Sequence, residues 1–523
     1  MGSPKHLGSG KRIGRRTFLG GLGAAVGASV VTGTASGYHD AYDPVNVVEA
    51  GADPNGEEPI NDVLEEIAYG EDEVAIEFPP GEYRMDEQFR YTGMESFAMF
   101  GDDATIVPAS GDEFSGTPRL FKLGTHVSPA DWVRIQGLEF DFTAPNTGLR
   151  ALQVQANDMY VANIDCLGTH DGGTWGPYLF DVTDPACTAV VRDVRAPDGG
   201  EYTENTEAAY EHTVSGGPTG MIVGPAHEGT IWFNYCELGG FPGNGLYSSA
   251  EEGTIVVQGG EYRNSNVANI RLDGHRCYVN EVSVVVDEAR PQDTNQRGIR
   301  FDDGTDFGVY NTTIELSPAT GEAIRVTNEA EDVTIEGVSV TIEDPDHSEE
   351  AIAVSGGASD VHIVDSDVEV RAGSQAIKLY EGDGTDPVVI ENVTVTGDAD
   401  GGFGGSNAIR CERDESEFHD LTVDQPGDSY RRCLYIEGED CTVEGGEYRS
   451  THHPIVNNAT GTEIANLEAE AYNDLEGLKM YRTEDCEVHG CTIYNGIQDA
   501  TDQLAAGADD AAAEIYDNTF PSS

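Results

Sequence analysis

Cations are scarce in this chain, so their placement carries information. The 523 residues hold 29 Lys and Arg against 95 Asp and Glu, a formal net charge of -66. Beyond the N-terminal region the only lysines are Lys122, Lys378 and Lys479. Basic residues recur in one short context: an apolar residue, the cation, an apolar residue, then a polar or aromatic one. Arg271 stands two before Asp273, Arg300 before Asp302 and Arg410 before Glu412. Arg325 stands two before Thr327, Lys378 before Tyr380 and Lys479 before Tyr481. Guanidinium forks hold carboxylates bidentately, and tyrosine faces stack on apolar surfaces. Two chemistries fit. One is a self-neutralised ladder of ion pairs such as Arg271–Asp273 and Arg300–Asp302. The other is a groove for an acidic polysaccharide, lined by Arg271, Arg300, Asp273, Asp302, Tyr380, Lys479 and Tyr481.

Two acidic turns follow these segments: Asp302-Asp303-Gly304-Thr305-Asp306 and Glu381-Gly382-Asp383-Gly384-Thr385-Asp386. The second alternates oxygen-bearing side chains as a Ca2+ loop does. Asp303, Asp306, Glu381, Asp383 and Asp386 are the expected ligands if Ca2+ is a cofactor. The overall acidity excludes nucleic acid as a partner, since its phosphates would be repelled. It fits a halophile surface, kept soluble where salt screens charge. Nine cysteines without CxxC spacing read as small core residues. His170, His452 and His453 lie outside the strand patterns and read as solvated.

These residues need an element that brings them into line. From Arg119 onward one pattern returns every 21 to 32 residues. It is a short strand, a polar turn, a second strand, a two-residue corner, a third strand and a loop. Each strand alternates with period two, one face buried and one wet. The second corner residue runs Gly137, Asn163, Asp193, Tyr235, Gly259, Glu281, Asn311, Gly337, Asp365, Asn392, Asp420, Gly445, Asn466, Gly490. All but Tyr235 and Glu281 are Gly, Asn or Asp, the residues that enter the left-handed region cheaply. A corner repeated at this period predicts an all-β solenoid, a right-handed parallel β-helix of about fourteen coils. The outward residues of its first strands form a column. It reads Lys122, Gln153, Asp181, Val223, Tyr247, Arg271, Arg300, Arg325, Ala353, Lys378, Arg410, Tyr435, Val456 and Lys479. Coils about 4.8 Å apart turn it into a continuous basic strip.

The chain's opening carries a further pattern. Val47-Val48-Glu49-Ala50-Gly51-Ala52-Asp53 precedes the helical stretch 61–68, and Ala75-Ile76-Glu77-Phe78-Pro79-Pro80-Gly81-Glu82-Tyr83 follows it. With the coils, this resembles the pectin-lyase-like superfamily of β-helix proteins, whose N-terminal helix caps the solenoid. The resemblance implies a polysaccharide-active fold but no single activity. Lyases of that superfamily remove the proton α to a uronate carboxylate with an Arg or Lys base, often with Ca2+. Carried onto this chain, that makes Lys378 the base, with Arg325 and Arg410 neutralising substrate carboxylates, and Ala353 leaving room for a sugar. A non-catalytic cell-surface or glycan-binding protein is the alternative. A polygalacturonase-like hydrolase is a third reading, since Asp273-Gly274-His275 and Asp302-Asp303-Gly304 are similar to that family's motifs in reversed order. Its Gly-His-Gly and Arg-Ile-Lys are absent, as is the Arg-x-x-Pro-x-x-Arg of pectate lyases.

Arg15-Arg16-Thr17-Phe18-Leu19 with the apolar run to Val31 resembles a twin-arginine signal, and the run is too short to span a membrane. The expected organisation is a signal peptide over 1–37, a cap and first coils over 38–118, the β-helix over 119–498, and a C-terminal segment over 499–523. The protein is expected outside the cell or at its surface, without membrane insertion. Sequons begin at Asn311, Asn392 and Asn458.

Overall fold

The computed structural model describes residues 43–522, apart from 208–214, 251, 319, 344–348, 371–374, 383–385, 398–406, 482–483 and 500–512. The signal-like segment and Asp383 lie outside the described residues. From Asn46 onward the chain forms one unit. It is a right-handed parallel β-helix. Three strands per coil pair in parallel with their counterparts in the next. In the first sheet, sixteen strands pair in series from Phe89–Tyr91 to Ile497–Asp499. The two beyond the expected fourteen are Phe89–Tyr91, in the segment assigned to the cap, and Ile497–Asp499, at the boundary with the C-terminal segment. Glu514–Tyr516 extends the second sheet by pairing with Glu487–His489, so part of the C-terminal segment is β-helix.

Alternation builds the core. Ile299, Ile324, Ile352, Ile377, Ile409, Leu434, Ile455 and Leu478 stack in register and are almost fully buried. Near the start, the helix Asn61–Ala68 buries Leu64 and Ala68. The Asn61 side chain ties it to the Asp86 amide and the Glu87 carbonyl. All nine cysteines are free thiols, and eight are buried. Among the described residues no helix is long and apolar enough to cross a membrane.

All fourteen expected corner residues adopt positive φ, and Asp103 and Asp517 extend the column at both ends. Tyr235 and Glu281 comply at φ 55. The corner geometry is therefore imposed by the coil, and residue type only lowers its cost. A second positive-φ column precedes the second strands, with Arg276, Asp306, Asp332 and Asp360 on successive coils. The recurring Asp was its sequence signal. Gly337 and Gly445 test the corner. A Cβ at Gly337 would come within 3.1 Å of Asn311 Oδ1, and one at Gly445 would strike the Asp420 carboxylate. Gly337→Val should cost about 1–2 kcal/mol and Gly445→Val more, since a β-branched residue is forced to positive φ. Thermal melting reads both; unchanged midpoints would remove the corner argument.

Candidate functional site

The strip forms as alternation requires. Tyr247, Arg271, Arg300, Arg325, Ala353, Lys378, Arg410, Tyr435, Val456 and Lys479 are successive register partners. Two places differ from expectation. Leu179 and Ile222 occupy the positions given to Asp181 and Val223. Asp181 lies two residues further along, buried and opposite Gln155, and Val223 points into the core.

Between Arg271 and Arg410 every cation of the strip has a carboxylate partner, though not always the expected one. Asp302 takes both Arg271 and Arg300. Arg325 Nη1 lies 3.3 Å from Glu322, which also holds Arg297. Lys378 Nζ lies 3.1 Å from Glu412, and Arg410 bridges Glu412 at 2.7 Å and Glu437 at 2.8 Å. Tyrosines interleave. Arg271 lies 4.9 Å from the Tyr247 ring centroid, Arg325 and Lys378 5.2 and 4.4 Å from that of Tyr380, and Lys479 4.6 Å from that of Tyr481. Tyr380 donates its hydroxyl proton to Glu350 at 3.1 Å. Over these coils the strip is thus a polar, aromatic surface with internally balanced charge. Lys378 is only 9% exposed and its Nζ is held by Glu412.

Asp273 behaves differently. The Arg271–Asp273 pair expected from spacing does not form, because Asp302 takes Arg271. Asp273 is left half-buried, with Oδ1 enclosed and without a hydrogen-bond partner. Burial, and then the neighbouring Asp302 carboxylate, push its pKa up to about 6, against the pull of Arg271. A carboxyl that keeps its proton near pH 6 beside a doubly ion-paired carboxylate is suited to proton donation. Glu350 is also raised, mainly by burial. Glu322 and Glu350 were missed in the sequence. Each precedes an Ala-Ile that opens a first strand, and that recurrence was the available signal.

The expected Ca2+ ligands do not gather among the described residues. Asp303, Glu381 and Asp386 are exposed. Asp306 belongs to the second positive-φ column, at φ 62, and its charge helps raise the Tyr278 pKa. Groups that converge within 4.8 Å are instead Glu322 with Glu349 and Glu350, and Glu463 with Glu487 and His489. The histidines correct a second expectation. His170 and His453 are buried and His452 is half-buried, because their loops fold back onto the coils. Burial lowers the pKa of His170 and of His452 to about 4.

No known family profile and no curated protein matches the chain. Solved structures do. A mutant tailspike protein of E. coli bacteriophage HK620 in complex with a hexasaccharide aligns at TM-score 0.50 with 10% identity, over 86% of this chain and 80% of that one. The surface adhesin PfbA of Streptococcus pneumoniae aligns at TM-score 0.37 with 10% identity, over 86% and 91%. The catalytic unit of a GH87 α-1,3-glucanase from Streptomyces thermodiastaticus aligns at TM-score 0.33 with 12% identity, over 91% and 68%. At these identities the likeness shows the fold alone. The fold is that of a parallel β-helix.

Proposed function

We propose that the first-sheet face binds a polysaccharide and that Asp273 cleaves it as a general acid, making this an exported glycoside hydrolase. The observation that carries the reading is the contrast between Asp273, which retains a proton to about pH 6, and the adjoining Asp302, which holds two guanidiniums. Asp273 would give its proton to the departing glycosidic oxygen. Asp302, fixed by Arg271 and Arg300, would keep the neighbouring Asp273 protonated, and the water that adds to the sugar ring would return a proton to the Asp273 carboxylate. Tyr247, Tyr380 and Tyr481 offer faces for sugar rings along the strip. The tailspike, solved in complex with a hexasaccharide, lends support as a saccharide-bound structure of the same fold.

The lyase reading is weaker, because it needs an available base and Lys378 is committed to Glu412. A binding-only surface is favoured by one observation: charge along residues 271–437 is already neutralised within the protein. Export by the twin-arginine route into a saline exterior remains part of the proposal, resting on Arg15-Arg16 and the net charge of -66.

Product analysis separates the three. Purified protein in high salt, offered a panel of polysaccharides, should release saturated sugars with new reducing ends. A lyase would release unsaturated ends that absorb in the ultraviolet, and a binder would leave the polymer intact. Lys378→Met should keep at least half of the turnover; loss of all turnover with unchanged melting would restore lysine as the catalytic base.

A further inference from the structure

The charge balance of the first sheet breaks near its N-terminal end. Arg90, Lys122 and Gln153 are successive register partners, and Arg119 pairs with Arg150 alongside them. Four cations therefore occupy three coils. None of the four forms an ion pair with a described residue, in a chain with more than three acids per base. Arg150 is 3% exposed. Its Nε donates to the Gly176 carbonyl at 3.2 Å, and its buried Nη2 has no partner. The nearby Asp181 carboxylate is occupied by Gln155 at 2.8 Å and the Gly224 amide at 2.6 Å.

An aromatic ring completes the arrangement. Trp175 has its centroid 4.6 Å from the Arg119 guanidinium carbon and 5.4 Å from that of Arg150. Its carbonyl lies 2.6 Å from His170 Nε2, which pins the loop. A buried guanidinium without a counterion is costly, and a bound anion would offset that cost. Burial and the other cations lower the pKa of Lys122 as well. Arg90 is exposed, and Arg119 and Lys122 are half-exposed, so an anion has access to them; Arg150 adds charge from behind.

We propose that Arg119 and Lys122, backed by Arg150 and faced by Trp175, form a subsite for a carboxylate or sulfate borne on a sugar. The strip steps five coils from Lys122 to Arg271, through Gln153, Leu179, Ile222 and Tyr247. At about 4.8 Å per coil the subsite is about 24 Å from Asp273, within reach of an extended saccharide. The inference rests on the saccharide reading above and adds that the ligand is charged at one end.

The test uses the full chain and tryptophan fluorescence. Uronate oligomers, sulfated oligosaccharides, neutral oligosaccharides and inorganic sulfate are titrated separately. A charged oligosaccharide should change the emission and raise the melting temperature; a neutral one should do neither. Trp175→Phe should remove the emission change. Arg119→Gln and Lys122→Gln should each weaken the charged oligosaccharide about tenfold while the variants melt as the parent does. Asp273→Asn should bind it unchanged, so binding here and turnover there fail separately. Unchanged affinity in the Arg119→Gln/Lys122→Gln double variant would overturn the subsite. Inorganic sulfate binding as tightly as the sulfated sugar would overturn its assignment to a saccharide.

Discussion

Asp273→Asn should cut glycosidic cleavage by about 10²–10⁴-fold, the usual contribution of a positioned general acid. The rate of the parent protein should also fall as pH rises above about 6, where the folded-state carboxyl loses its proton. Stability gives an independent check. The ordinary Asp value is 3.8, and the folded value is about 6. Between these pH values the folded chain holds a proton that the unfolded chain has lost. Stability therefore declines as pH rises through that window and is constant on either side. Solvent reaches this half-buried group, so the decline is discounted to about 1 kcal/mol. Asparagine removes that term. The variant should melt at or slightly above the parent temperature at pH 7, and the difference should vanish near pH 4. Lost activity with a midpoint several degrees lower would mean that Asp273 supports the coil rather than the reaction.

The coil was legible in the sequence because a corner every 21 to 32 residues demands one backbone conformation. The strip was legible for the same reason: alternation fixes which residues face out, and parallel pairing stacks them. It failed at Asp181 and Val223, beside the long strand Arg150–Leu167, where the turn that marks each coil disappears into a continuous strand. The ion pairing was not legible. Two-residue spacing puts Arg271 and Asp273 on one face, but the register shifts between Leu272 and Gly274. There Asp302 and Asp303 both stand opposite Asp273, and Arg271 reaches across to Asp302 on the next coil, 2.5 Å from Nε to Oδ2. The carboxyl that results, with one enclosed oxygen unpaired, is what the proposed chemistry uses, and no local pattern announces it. The cluster around Arg150 was hidden differently. Arg119 and Lys122 sit on one coil and Trp175 in a loop beyond the next, so only the folded register shows them together.

Asp302 should be the most sensitive position of the strip. It is 9% exposed and accepts from Arg271 and Arg300, whose side chains stand one coil apart. Asp302→Ala leaves two partly buried guanidiniums about 4.8 Å apart without their anion. Breaking a buried pair from one side costs about 3–5 kcal/mol, and partial exposure of both arginines reduces that to about 2–4. High salt should soften the loss, because it screens the repulsion between the two arginines. The second effect falls on Asp273. Asp302 is one of the causes holding that carboxyl up, and Arg271 is the group pulling it down. Removing the first and freeing the second should lower the Asp273 pKa, so the acid would be ionised at pH 6. The pH-rate profile of the surviving folded fraction should move to more acidic values. Asp302→Glu should restore both the melting temperature and the profile in part, since a carboxylate still reaches the arginines. A merely structural Asp302 would lower the melting temperature and leave the profile where it was. That outcome would remove Asp302 from the chemistry and leave Asp273 without the neighbour that tunes it.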